Sequence, residues 1–200
     1  MSSMLSKTAI ECPQFLLSRA QAKPCVATAI VNAGAHLPME SARLAAAKGL
    51  IDPVLIGDPV AIKAIAKDIA WDISSFRVVA AEGEVASAAS AVALARSGEV
   101  ASLMKGDLHT DHLLRAVLNK TQGLRCTDNR LSHVFHMTIP GSGAALCITD
   151  GAINVQPDVD TKIHIARNAI ELLHRLGNAV PKVAVLSATE QETDAIPSSI

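Results

Sequence analysis

The chain has 200 residues, of which 50% are apolar, 18% charged and 2% aromatic. That composition buries enough aliphatic surface for one large domain or two small ones, and it excludes a disordered or fibrous polymer. With 18 Lys and Arg against 19 Asp and Glu the formal net charge is −1, so no excess positive field draws the chain to nucleic acid or an anionic membrane.

The N-terminal segment carries a single Lys, Lys7, in its first ten residues and lacks the apolar core and small-residue cleavage site of a secretory signal. The longest nearly pure apolar stretch, Val85 to Ala95, falls well short of the roughly 20 residues that cross a bilayer. A soluble, cytoplasmic protein is expected.

Short aliphatic runs bounded by turn residues then recur: Cys25 to Val31, Pro53 to Ile56, Arg77 to Ala80 and Ala101 to Met104. Between them lie segments of helical period, with Ile62, Ile65, Ala66 and Ile69 marking one face, and Val85, Ala88, Ala89 and Val92 another. Asp58 and Pro59 suit the N-cap and first turn of a helix, and Gly49, Gly98 and Gly177 suit helix stops. Strands alternating with helices predict a three-layer α/β/α fold around a mostly parallel sheet.

Past Gln122-Gly123 the pattern changes. His133 to Ile139 and Ala144 to Thr149 read as two strands joined by Pro140-Gly141-Ser142-Gly143, a hairpin signal. A helix from about Val159 to Leu176, with Ile165, Ala169, Leu172 and Leu176 on one stripe, precedes a further strand over Lys182 to Leu186. The expected division is a first α/β lobe over residues 9–126 and a partial second α/β lobe over 127–200. The chain stops at Ser198-Ser199-Ile200, where this alternation calls for another helix, so the second lobe is expected to be cut short.

Ligands of open parallel sheets bind at the carboxyl ends of the strands, where helix N-termini present unpaired N–H groups. The richest such end is Lys105-Gly106-Asp107-Leu108-His109-Thr110-Asp111-His112, followed by Arg115. With Thr110 as the helix cap, free N–H groups, a hydroxyl, Lys105 and Arg115 would surround one anion, the arrangement that holds a phosphate. The plainer alternative has Thr110 only capping, Lys105 solvated and Asp111 paired with Arg115 at i,i+4. The segment lacks the nucleotide-binding pattern Gly-x-x-x-x-Gly-Lys-Ser/Thr.

His109 and His112 also invite a metal reading, but spacing supplies no third ligand and no metal site is assigned. His133 and His136 differ by an odd number along a strand and face opposite sides. Cys12, Cys25, Cys126 and Cys147 show no Cys-x-x-Cys spacing and read as free thiols.

At these residues the chain resembles the phosphate acetyltransferase and phosphate butyryltransferase family, and more closely its butyryltransferase-like branch. The resemblance includes Ala46-Ala47-Lys48-Gly49-Leu50-Ile51-Asp52-Pro53, Leu103-Met104-Lys105-Gly106 with His109-Thr110-Asp111, and Leu131-Ser132-His133-Val134-Phe135. It continues through Ile148-Thr149-Asp150-Gly151-Ala152-Ile153-Asn154, Asn168-Ala169-Ile170 and Pro181-Lys182-Val183-Ala184-Val185-Leu186-Ser187.

The resemblance implies reversible transfer of an acetyl or short acyl group between coenzyme A and inorganic phosphate. It also implies a two-lobed, isocitrate/isopropylmalate dehydrogenase-like fold with the site between the lobes, and a homodimer. Coenzyme A would be a substrate, and no cofactor is expected. Arg115 matches the family's phosphate-contacting arginine after a one-residue gap. Lys105, Gly106, His109 and Thr110 would fall in the same clamp, and Ser132 and Ser187 would be weaker candidates for substrate contacts in the cleft.

The family's downstream Ser-Arg pair and Asp would lie beyond Ile200 in a C-terminal part expected to be missing, so these residues alone are expected to show little turnover. Two alternatives stay open: a noncatalytic phosphate or acyl phosphate-binding fragment, and a metal-dependent decarboxylating dehydrogenase of similar fold. The second would need a nicotinamide cofactor and an acidic metal cluster.

Overall fold

The computed structural model describes residues 12–125, 128–139, 145–187 and 189–196. The chain divides into two compact units, Met1–Thr127 and Asp128–Ile200. In the first, helix α1 (Gln14–Gln21) leads into β1 (Val26–Val31), α2 (His36–Ala47), β2 (Ile51–Gly57), α3 (Pro59–Asp68), β3 (Arg77–Ala80), α4 (Gly83–Ser97), β4 (Ser102–Lys105) and α5 (Thr110–Leu118). The four strands form one parallel sheet in the order β3-β2-β1-β4.

That order explains the layers. Parallel crossovers are almost always right-handed, so stepping from β1 to β2 to β3 in one direction places α2 and α3 on one face. The return past β2 and β1 to β4 reverses direction and sends α4 across the other face. The cores follow this division, because successive residues of a strand face opposite sides. Ile30 and Leu55 pack with Met39, Ala42, Ile62 and Ala66 of α2 and α3. Ala29, Val31 and Ile56 pack with Ala88, Ala91 and Leu94 of α4, and Leu113 and Ala116 of α5 lie against the same cluster. Ile30, Leu55, Ile56 and Ile62 are fully buried, each worth about 1.5–3 kcal/mol of transfer free energy.

Local signals set the helix ends. The Asp58 carboxylate accepts the Val60 N–H at 2.8 Å, with Pro59 in the first turn of α3. Gly98 ends α4 at φ 80°, and Gly49 and Gly177 follow α2 and the last helix at φ 69° and 88°. The expected face of α4 needs correction. Val85 is 66% exposed and Ala89 is exposed, whereas Ser87, Ala88, Ala91, Val92 and Leu94 are buried. A helix this rich in Ala and Ser has almost no apolar asymmetry, so packing against the sheet, not periodicity, chooses its buried side.

In the second unit β5 (Val134–Thr138) and β6 (Ala145–Thr149) pair antiparallel, as the hairpin signal predicts. The turn residues Pro140 to Gly143 lie outside the described residues. Helix α6 (Val159–Arg175) starts at Asp158, whose carboxylate accepts the Thr161 N–H at 2.8 Å, and buries Thr161, Ile165 and Ala169. The strand expected over Lys182 to Leu186 is not formed. Val183, Val185 and Leu186 are 53%, 83% and 87% exposed, and among the described residues no neighbouring strand supplies the ladder hydrogen bonds that a β conformation needs. No helix among the described residues is long and apolar enough to cross a membrane.

The same substitution at two positions of α4 tests its orientation. Ala91→Leu should cost about 1–3 kcal/mol by overpacking the sheet-facing core, and Ala89→Leu less than about 0.5 kcal/mol. Equal losses in urea denaturation would restore the face read from periodicity.

Candidate functional site

The strand order reverses between β1 and β4, and the carboxyl end of the sheet at such a reversal is the usual ligand position in these folds. Two chain segments meet there. The Gly106 N–H donates to the Val31 carbonyl at 2.9 Å, and the Asp107 N–H to the Asn32 carbonyl at 3.0 Å. A Cβ on Gly106 would stand 2.3 Å from the Val31 oxygen and 2.6 Å from that of Asn32, so only glycine lets the end of β4 come this close. Asn32 answers from the other side. At φ 56° it turns the chain out of β1, its amide donates to the Asp107 carbonyl, and its Oδ1 accepts from the Ser87 hydroxyl at 3.4 Å.

Leu108, 5% exposed, then anchors the loop in the core, and α5 begins with His109 as N-cap. Thr110 is therefore the first helical residue and not the cap expected from sequence; the His109 side chain caps no N–H of its own helix. Two other interactions start the helix. Leu108 and Leu113 share one apolar cluster, the pairing of a hydrophobic staple. The Glu84 carboxylate, from the first turn of α4, accepts the His109 N–H at 2.7 Å, as the third-position Glu of a capping box does within one helix.

Glu84 also receives both imidazoles. His109 Nδ1 lies 3.0 Å from each of its oxygens, and His112 Nδ1 2.9 Å from Oε2. The backbone N–H of His109, with the two rings, holds the Glu84 pKa down to about 2. Its carboxylate in turn raises that of His109. Around this cluster the cations are Lys105, exposed at the end of β4, and Arg115, 77% exposed and paired with Asp111 at 3.3 Å. The Asp111–Arg115 pairing is the one the plainer reading anticipated. The N–H groups of Thr110 and Asp111, in the first turn, have no acceptor within the helix.

Lys105, Gly106, His109, Thr110 and Arg115 thus share one corner of the first unit. Ser132 and Ser187 belong to the second. The Ser132 hydroxyl accepts from Asn168 Nδ2 at 2.9 Å, and the same amide donates to the Arg130 carbonyl at 2.9 Å. Ser187 Oγ accepts the Thr189 N–H at 3.3 Å, and the residue is exposed and not at a strand end.

Cys12, Cys25 and Cys147 are free thiols, and burial pushes the Cys147 thiol up, away from a reactive thiolate. Cys126 lies outside the described residues.

Two residues escaped the sequence reading. Glu84 lies 25 positions before His109, and its only signal was its place in the first turn after a parallel strand, which puts it at the same end of the sheet as α5. Asn32 was visible as a polar residue ending β1, but its link to β4 was not. Spacing along the chain could not show that Glu84, His109 and His112 bring one donor atom each within 4.8 Å of one another.

Residues 85–199 match the family model described as "Phosphate acetyl/butaryl transferase". The phosphate acetyltransferase of Rhizobium meliloti is 40% identical over 185 residues, covering 92% of this chain and 58% of the relative. The phosphate butyryltransferase of Clostridium acetobutylicum is 32% identical over 185 residues, covering 92% and 61%. Among solved structures, a branched-chain phosphotransacylase from Enterococcus faecalis V583 superposes with a TM-score of 0.67 at 27% identity, covering 86% of this chain and 60% of that one. A phosphotransacetylase from Streptococcus pyogenes shares the fold with a TM-score of 0.72 at 15% identity, covering 92% and 66%. The chain therefore spans somewhat more than half the length of the curated relatives it matches.

Gly106→Ala should lower stability by at least about 2 kcal/mol, because backbone carbonyls cannot rotate away from the new methyl. Gly151→Ala, where nothing lies within 4 Å of the added carbon, should stay within about 0.5 kcal/mol. Equal denaturation midpoints for the two variants would show that the approach of β4 to β1 is not constrained by Gly106.

Proposed function

The chain belongs to the Phosphate acetyl/butaryl transferase family, and from that premise we propose that it takes part in reversible acyl transfer between coenzyme A and inorganic phosphate. In one direction the coenzyme A thiolate attacks the carbonyl of an acyl phosphate, the carbon–oxygen bond to phosphate breaks, and phosphate leaves. In the other, a phosphate oxygen attacks the thioester carbonyl, the carbon–sulfur bond breaks, and the coenzyme A thiolate leaves. Either direction needs a clamp for the phosphoryl oxygens and donors for the developing oxyanion, and one group must take the thiol proton in the first direction and return it in the second.

The observation that carries this reading is that the family match begins in α4 and runs through the whole β4–α5 corner. Lys105 and Arg115 supply positive charge, and Thr110 and the first-turn N–H groups of α5 supply donors. Gly106 allows the two strand ends to close on one another. His109, its N–H and ring held by Glu84, fixes the helix entrance and adds charge when protonated. Ser132 and Ser187 are substrate contacts from the second unit in this proposal; each hydroxyl accepts one bond within the chain and keeps its own proton to donate.

Coenzyme A and phosphate enter as substrates, and the reaction calls for no organic cofactor. The matched relatives include both acetyl- and butyryltransferases, which leaves acyl length to the aliphatic lining of the pocket. A cytoplasmic homodimer built on the two-lobed dehydrogenase-type fold completes the proposal.

The test is to titrate phosphate calorimetrically and to follow coenzyme A release from acetyl-, propionyl- and butyryl-coenzyme A as phosphate is varied. Arg115→Ala should weaken phosphate binding about 10- to 150-fold, the equivalent of about 1.5–3 kcal/mol for a lost charged hydrogen bond. Stability should fall by no more than about 1 kcal/mol, since its pair with Asp111 is exposed. Phosphate heat without coenzyme A release would reduce the function to phosphate binding. Unchanged phosphate affinity in the variant would remove Arg115 from the clamp, and neither heat nor release would defeat the proposal.

A further inference from the structure

We propose that Glu84, His109 and His112 form a three-ligand site for one divalent transition-metal ion of the zinc class, held between the first turns of α4 and α5. The inference does not rest on the acyl-transfer reading, since it concerns binding of the metal alone, but it shares His109 with the proposed clamp, and a metal on Nδ1 takes the place of the proton that would charge that ring. One carboxylate oxygen and two imidazole nitrogens are the donor set that suits zinc and its neighbours, and imidazole disfavours magnesium and calcium.

The distances fit. The three donor atoms lie within 4.8 Å of one another, and the edges from Glu84 Oε2 to the Nδ1 atoms of His109 and His112 are 3.0 and 2.9 Å. A tetrahedral ion with bonds of about 2.0–2.1 Å sets its ligands about 3.3 Å apart, so those two edges need widen only slightly. Binding exchanges Nδ1 protons for the metal: each neutral ring carries its remaining proton on Nε2, and any imidazolium releases one proton to solvent.

The surroundings supply what ligands require beyond the first contacts. The His109 N–H, 2.7 Å from Glu84 Oε2, holds the carboxylate in place as an outer-shell donor. Asp111 Oδ2 lies 4.0 Å from His112 Nε2, on the side where a ligating histidine donates its second N–H. Lys105 is the nearby cation that opposes a metal, and it is exposed. The His109 side chain is 77% exposed, which leaves the fourth position to water. A comparable pair elsewhere, His36 with Asp68 at 3.3 Å, has no third donor among the described residues and serves as the control.

The experiment titrates the untagged full chain with Co²⁺, followed by its visible absorption, and with Zn²⁺ in competition with a chromophoric chelator. One ion per chain is expected, without the near-ultraviolet band of a thiolate ligand. Glu84→Gln, which can still accept the His109 N–H, and His112→Ala should each weaken Zn²⁺ by more than about 100-fold, beyond the roughly 10- to 100-fold losses typical of outer-shell partners. His36→Ala should match the parent, and circular dichroism would establish that each variant is folded. No binding, a thiolate spectrum, or unchanged affinity in folded Glu84→Gln would overturn the assignment.

Discussion

The first unit is organised by the close approach of β4 to the end of β1. Two backbone hydrogen bonds, from Gly106 to Val31 and from Asp107 to Asn32, join strands that are far apart in sequence but adjacent in the sheet. The absence of a side chain at Gly106 is their precondition, because a methyl there would overlap the Val31 and Asn32 carbonyls. Asn32 completes the junction by adopting a left-handed turn, which Asn tolerates better than other non-glycine residues, and by reaching Asp107 and Ser87 with its amide.

This junction fixes the chemistry above it. Reversal of the strand order puts α4 and α5 on the same face of the sheet, and both helices follow strands, so both begin at its carboxyl end. Their N-termini carry partial positive charge. Glu84 stands where those fields add, and it takes up a backbone donor and two imidazoles. An anion site built here must share the entrance of α5 with a carboxylate already in place. Lys105 and Arg115, the cations proposed to hold phosphate, lie on exposed positions near that carboxylate. The same carboxylate makes a cation between the helices reasonable, since it offsets the helix fields that would otherwise repel one.

The second unit shows how much a strand depends on its neighbours. β5 and β6 pair with each other, and Phe135, Met137, Leu146 and Ile148 remain 40–51% exposed on the cross-strand pairs Phe135–Ile148 and Met137–Leu146. Its polar residues are used locally: Asp150 accepts the N–H groups of Ile153 and Asn154, and Asn168 holds Ser132. Residues whose resemblance to the family suggested importance thus hold this unit's loops in place. Lys182 to Leu186 has the composition of a strand, yet it lacks a partner among the described residues, and β propensity expresses packing more than backbone preference.

Sequence alone determined the alternation of strands and helices, the caps at Asp58 and the glycine stops, the hairpin, and the stretch from Lys105 to Arg115 as the polar strand end of greatest interest. These are local features, set by periodicity of two or 3.6 residues and by the conformations open to Gly, Pro and Asp. The family was legible too, because its motifs are ordered runs of neighbouring residues. Tertiary structure decided which side of the Ala-rich α4 is buried, that His109 and not Thr110 caps α5, and that Glu84 joins His109 and His112. Each of those depends on contacts across 25 or more residues or on a choice between faces of nearly equal hydrophobicity. A one-dimensional pattern carries neither; only the packed sheet, with its strand order reversed at β1, brings those groups together.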